Sequence, residues 1–274
     1  MGYKALYGKN ISKNNDGSKN HQLTFLREVF PHEERKIREN LRNILDFHKL
    51  IYKQNNIDMA LEEIKNSIKF DRNVLEKMPK LISDYLTSVR AYQDQTKHFL
   101  KEKFPSAVEI FEQAKRDEYD GKFCYRYTDQ LRNFLQHCES IPYTRVEQFY
   151  QNEEKQIKFY MKNEEFVNMF PAMKSKFKKE LMLEPNKDID VIEQLLNLKE
   201  CINVIHQKII NASIDDNLYN SMIFIMNYKK KYPEYDDILM TTRIKPGAKN
   251  IQGLEDFQFG FVKMLLDNMS ISFK

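Results

Sequence analysis

A chain of 274 residues with 44 basic and 40 acidic side chains, net charge +4, is long enough to bury a sizeable core. Its pI of about 8.7 falls short of the value above ~9 expected of a dedicated DNA-binding domain. With 7 Gly and 8 Pro, it is too poor in turn residues for a sandwich, a barrel, a collagen-like repeat or a flexible linker, and 41% hydrophobic with 31% charged residues excludes wholesale disorder.

Residues 1–21 read as a flexible N-terminal arm, because Gly8 to Asn20 is rich in Asn, Lys and Ser and poor in apolar side chains. From Gln22 the period is helical. Leu23, Leu26 and Phe30 make a first short turn; Pro31 separates it from a longer helix striped by Ile37, Leu41, Ile44, Leu45 and Ile51. Met59 to Ile68 and Val74 to Phe104 are further helical stretches, punctuated by Pro79 and Pro105. Another opens at Pro105-Ser106 and closes near Gly121, and the next runs from Lys122 to Cys138, before Ile141-Pro142. Residues 143–162 read as a β-hairpin, from two short aromatic and β-branched runs at Arg145 to Tyr150 and Gln156 to Met161. Helices resume at Asn163, after the Pro185 to Asp188 start signal, and from Asp215 to about Lys230; the chain turns irregular around Lys245-Pro246-Gly247 and apolar again from Phe257. The expected fold is an all-α helical bundle with a small β-hairpin insertion and a C-terminal helical extension over 163–274.

Cys124, Cys138 and Cys201 are too widely spaced for a disulfide ladder or a zinc ribbon. The polar first twenty residues contain no signal-peptide core, and no run approaches the ~18 apolar residues of a membrane span. These features point to a reduced, cytoplasmic protein with no membrane partner. Gly-Lys-Ser/Thr loops, His-Glu-x-x-His, Cys-x-x-Cys and Gly-x-Ser-x-Gly are all missing, so the sequence implies no metal and no cofactor. His32 beside Glu33-Glu34 is a surface cluster, since adjacent helical residues point apart. His206 reads as a helix-surface or satisfied core histidine. The basic runs Lys174 to Lys179 and Lys229-Lys230-Lys231 read as solvated faces, with RNA phosphate contact as the functional alternative.

One segment stands apart: Tyr127 to His137, which contains Arg132-Asn133 and, five residues after the arginine, His137. A second match, Arg42-Asn43 with His48, is separated from it by helical phase. His48 falls within about 20° of Leu41, inside an apolar stripe, and reads as core or core-edge packing. In the 122–138 helix the apolar face is Cys124, Tyr127, Leu131, Phe134, Leu135 and Cys138. His137 lies about 120° from it and Asn133 about 160° from it. Arg126, Asp129, Asn133, Gln136 and His137 therefore share the opposite side, with Arg132 on its flank.

Those residue types suit metal-independent RNA cleavage. A proton must leave the ribose 2′-OH, a crowded phosphorane must be stabilised, and a proton must reach the 5′ leaving oxygen. Histidine transfers protons near neutrality, and a permanently charged arginine fork can hold phosphate oxygens. Asn133, one turn before His137, is placed to orient the imidazole or the ribose. A single imidazole is awkward, since acid and base roles are both wanted, and twofold symmetry would supply a second.

Through Arg132, Asn133, His137 and the helical setting of residues 22–142, the sequence resembles the HEPN superfamily, helical proteins of bacterial defence and toxin systems. The resemblance implies a metal-independent endoribonuclease acting as a composite homodimer and leaving a 2′,3′-cyclic phosphate and a 5′-hydroxyl. It implies Arg132, Asn133 and His137 as catalytic residues, with Arg126, Gln136 and Asp129 as candidate substrate contacts. RNA, a second copy of the chain and an antitoxin or other protein are the expected partners. The superfamily also has non-catalytic members, so the alternative is a silent helical module that binds a protein partner or RNA through the Arg126/Asn133/His137 face.

Overall fold

The computed structural model describes residues 4–14, 16–71, 73–137, 145–151, 154–243 and 252–272. In chain order the elements are β1 (Lys4–Lys13), β2 (Lys19–Val29), α1 (Pro31–Ile51), a 3₁₀ turn (Tyr52–Gln54), α2 (Asn55–Phe70), α3 (Val74–Lys103), α4 (Ala107–Gly121) and α5 (Phe123–Leu135). They continue with β3 (Arg145–Gln151), β4 (Glu154–Lys162), α6 (Asn163–Met169), α7 (Ser175–Leu181), β5 (Asp188–Asp190), α8 (Val191–Ala212), α9 (Asp216–Lys231), β6 (Asp237–Arg243), β7 (Gln252–Asp256) and α10 (Phe259–Ser272). The protein is mostly helical. Its β content exceeds the single expected hairpin: one antiparallel sheet has the order β2-β1-β6-β7 and another the order β3-β4-β5.

Two compact units are formed, Met1–Lys49 with Ile214–Lys274, and Leu50–Ser213. In the first, the residues read as an N-terminal arm carry β1 and the start of β2, and the helical turn expected at Leu23 to Phe30 is strand. A bulge explains the misleading spacing. Leu6 pairs with Arg27 but Tyr7 with Phe25, so Leu26 has no residue opposite it and the two-residue alternation breaks. Only Ala5, Leu6 and Gly8 of β1 are buried, and a Cβ at Gly8 would overlap the Tyr235 ring, so glycine is what lets that ring lie on the strand. β6 pairs with β1 through Leu6 and Met240, residues that no local pattern connects. Strands β5, β6 and β7 thus interrupt the 163–274 region expected to be helical. The irregular stretch expected at Lys245 to Gly247 lies outside the described residues.

At one end of this sheet, Asp237 and Asp256 share a half-buried site with Lys9, whose Nζ lies 3.1 Å from Asp256 Oδ2. Burial, and then the neighbouring Asp256 carboxylate, push Asp237 up to about 8. A carboxyl raised above its unfolded value of about 4 contributes stability present at low pH and lost as pH climbs through the folded value. Asp237→Asn keeps the shape without the second negative charge. It is expected to stabilise this unit by about 1–2 kcal/mol at pH 9 and hardly at all at pH 5, as read by urea unfolding at both pH values.

The second unit is a helical assembly around α3 and α8. Its long stripe, Met78, Ile82, Tyr85, Leu86, Val89, Tyr92 and Leu100, is buried along α3. Pro79 does not end this helix. It lies in the second turn, where the missing N–H costs one hydrogen bond only. The expected β3–β4 hairpin is present and pairs Arg145 with Tyr160 and Phe149 with Gln156, with Ile157 and Phe159 buried beneath. The α8 helix starts at Val191, later than its Pro-Asn-Lys-Asp signal, because Asp188 to Asp190 pair with β4 and Asp190 is the cap; its Oδ1 accepts from Ile192 N at 3.1 Å and Glu193 N at 3.4 Å.

Candidate nucleic-acid site on α5

Helix α5 exists because Tyr127, Leu131 and Phe134 recur at three- and four-residue spacing and are fully buried. Their anchor is an aromatic cluster. Phe166 of α6 lies 5.5 Å from the Tyr127 ring and 6.0 Å from Phe134, and Phe170 lies 5.8 Å from Phe134. The helix ends at Leu135, three residues earlier than its apolar pattern implies. The backbone closes with Gln136 N on Arg132 O at 3.2 Å and His137 N on Phe134 O at 3.0 Å, so His137 sits in the terminal turn.

The polar face of α5 is divided between internal and outward roles. Arg126 is half-buried and fully engaged. Its Nε and Nη2 donate to Glu180 of α7 at 3.0 and 2.7 Å, while Nη1 donates to the carbonyls of Tyr119 and Asp120 at 2.8 and 2.7 Å. Glu180 holds its pKa above the ordinary arginine value. Asp129 accepts from Lys174 Nζ at 2.7 Å and from Gln130 at 3.1 Å. Gln130 is itself buried and accepts from the Lys174 backbone at 3.1 Å. These bonds fasten the 174–181 segment to the face that was expected to meet substrate. Arg126 and Asp129 are therefore structural partners here. Glu180→Ala is expected to cost about 1–3 kcal/mol in chemical denaturation, since it strands a half-buried guanidinium.

The remaining candidates differ. Gln136 and His137 are exposed, and Arg132 and Asn133 are half-buried. Arg132 has no acidic partner among the described residues, and its Nε is buried with no hydrogen bond. It lines a cleft of about 40 Å³ with Arg90 and Gln93 of α3, Tyr125, Thr128 and Asp129 of α5, and Leu198 of α8. Gln93 Nε2 donates to the Tyr125 hydroxyl at 2.6 Å, and burial pushes that phenol's pKa up. The structure thus brings Arg132 and Asp129 to one cleft, and His137 is not among its lining residues. Arg90 and Gln93 were not singled out in the sequence, where they look like ordinary surface positions of a long helix.

The second Arg-Asn match is packed as its phase requires. His48 is half-buried with its ring 4.4 Å from Phe261, burial lowers its pKa, and Asn43 donates to Ser221 Oγ at 3.0 Å. His206 is buried between the Tyr92 hydroxyl at 3.1 Å and the Ile51 carbonyl at 3.0 Å. Glu33 is held by Arg27 and by Tyr228, whose hydroxyl donates to it at 2.9 Å, and Glu34 accepts from Arg38 at 2.8 Å. Among the described residues no group of three His, Cys, Asp or Glu side chains is placed to hold a metal ion, and no helix is long and apolar enough to cross a membrane. Compared with known protein families, curated proteins and solved structures, the chain matches none.

Proposed function

We propose that the chain is a metal-independent endoribonuclease of HEPN type, acting on RNA at a site completed by a second copy. The observation that carries this reading is Arg132, which has no acidic partner among the described residues. A permanently charged guanidinium, half-buried and with its Nε unsatisfied, is costly unless an anion answers it. A phosphate does so with the bidentate geometry arginine prefers. Five residues on, His137 is exposed and free to transfer protons between ribose oxygens and solvent. Asn133 lies between them in sequence and orients the ribose or the imidazole. In this reading Arg132 holds the phosphorane, and the two imidazoles of a dimer divide the acid and base roles.

The rival reading, a catalytically silent helical module that binds a protein partner or RNA through the same face, is favoured by one observation: His137 does not line the cleft that Arg132 enters. Product analysis separates the two. Incubated with RNA in excess chelator, the purified chain is expected to sediment as a dimer and to leave 2′,3′-cyclic phosphate and 5′-hydroxyl ends. A monomer that retains RNA without cutting it would favour the silent module.

A further inference from the structure

Cys124 in the first turn of α5 and Cys201 in the middle of α8 are free thiols whose Sγ atoms lie 3.6 Å apart. Both are buried, 7% and 3% exposed, yet they come from positions 77 residues apart, so only the packing of α5 on α8 brings them together. A disulfide needs about 2.0 Å between sulfurs. Closing the remaining gap requires the two side chains to turn toward each other.

We propose that Cys124 and Cys201 are a redox modification site, oxidised by hydrogen peroxide to an intramolecular disulfide that ties α5 to α8. The Cys124 thiolate attacks one peroxide oxygen, the O–O bond breaks, and the departing hydroxide takes up a proton as water. Cys124 is left as a sulfenic acid. The Cys201 sulfur then displaces that oxygen, which leaves as a second water with the Cys201 thiol proton. The two thiols give up two electrons, and the peroxide accepts them.

The two sulfurs are not equivalent. The Cys201 thiol beside it and the nearby Lys122 hold Cys124 down at about 7, whereas Cys124, burial and the Glu118 carboxylate push Cys201 up. Cys124, in the first turn of α5 and near Lys122, is the attacking sulfur in this proposal, and Cys201, near the buried Glu118 carboxylate, the resolving one. Of the two, Cys124 is the nearer to solvent along its helix, where Lys122 is exposed and Phe123 half-buried. Because Tyr125, Thr128 and Leu198 of the same two helices wall the cleft that Arg132 enters, the bond fixes two of its sides. The disulfide stands whether or not the protein cuts RNA.

The test treats the purified full chain with hydrogen peroxide, blocks remaining thiols with an alkylating reagent, and maps the peptides without reduction. The expected result is one alkyl group, on Cys138, an intact mass two hydrogens below that of the singly alkylated reduced chain, a joined Cys124–Cys201 peptide pair in a monomer-sized band, and reversal by dithiothreitol. Cys138→Ser should retain the bridge, and Cys124→Ser and Cys201→Ser should each abolish it. Recovery of both cysteines alkylated or as sulfonic acids, a bridge through Cys138, or a bridge between two chains would overturn the proposal. The wild-type peptide map decides even if a serine variant does not fold.

Discussion

Replacing Phe166 by alanine is expected to lower the unfolding free energy of the Leu50–Ser213 unit by about 3–5 kcal/mol. The ring is fully buried and touches three others: Tyr127 at 5.5 Å, Phe134 at 6.0 Å and Phe170 at 6.4 Å. Removing it deletes apolar contact and opens a cavity that fixed helices on both sides cannot close, and each aromatic pair lost adds to the cost. For a unit of this size the loss amounts to roughly 10 °C in Tm. Since the same ring seats α5, RNA binding should weaken in parallel. Tyr150→Ala, at a position 70% exposed on the hairpin, is the control and should change stability by less than about 0.5 kcal/mol. Equal melting curves for the two variants would mean that the cluster does not anchor α5.

The second large effect concerns chemistry without stability. His137→Ala should lower the RNA cleavage rate by about 10²–10⁴-fold, the range that a positioned acid–base group supplies. Its exposure predicts a stability change within about 0.5 kcal/mol. Arg132→Met sharpens the contrast. It removes a half-buried cation that has no acidic partner among the described residues, so the protein should be as stable as wild type or more so, while cleavage falls by about 10²–10³-fold. Arg132→Lys should not restore the rate, because an ammonium lacks the planar fork. A stabilised variant that is also inactive is the signature of a cation kept for an anionic ligand; a destabilised one marks a structural arginine.

Much of the fold can be read from the residues, and the exceptions have identifiable causes. The stripe from Met78 to Leu100 announces α3, and the paired runs around Phe149 and Phe159 announce the β3–β4 hairpin, because each pattern is local. The β1–β2 hairpin is obscured by the bulge at Leu26, which turns strand alternation into helix-like spacing, and by strands whose outer halves are exposed. β6 and β7 are short, and one partner of β6, β1, is more than 200 residues away, so pairing and not propensity makes it a strand. At the candidate site, helical phase places Tyr127, Leu131 and Phe134 inside, as found, whereas His137 is exposed in a turn beyond the helix. It has no means of showing that Glu180, and Lys174 from a run that reads as a solvated face, occupy Arg126 and Asp129. Nor could it show that α5 stops before His137, a tertiary matter settled by the closing turn at Phe134.

The most direct measurement is single-turnover cleavage of labelled RNA by wild type and His137→Ala, side by side in excess chelator. Cleavage by wild type that drops at least a hundredfold in the variant, with identical melting curves, is the expected result. The same rate in both proteins would contradict the assignment of His137 as the proton-transfer residue.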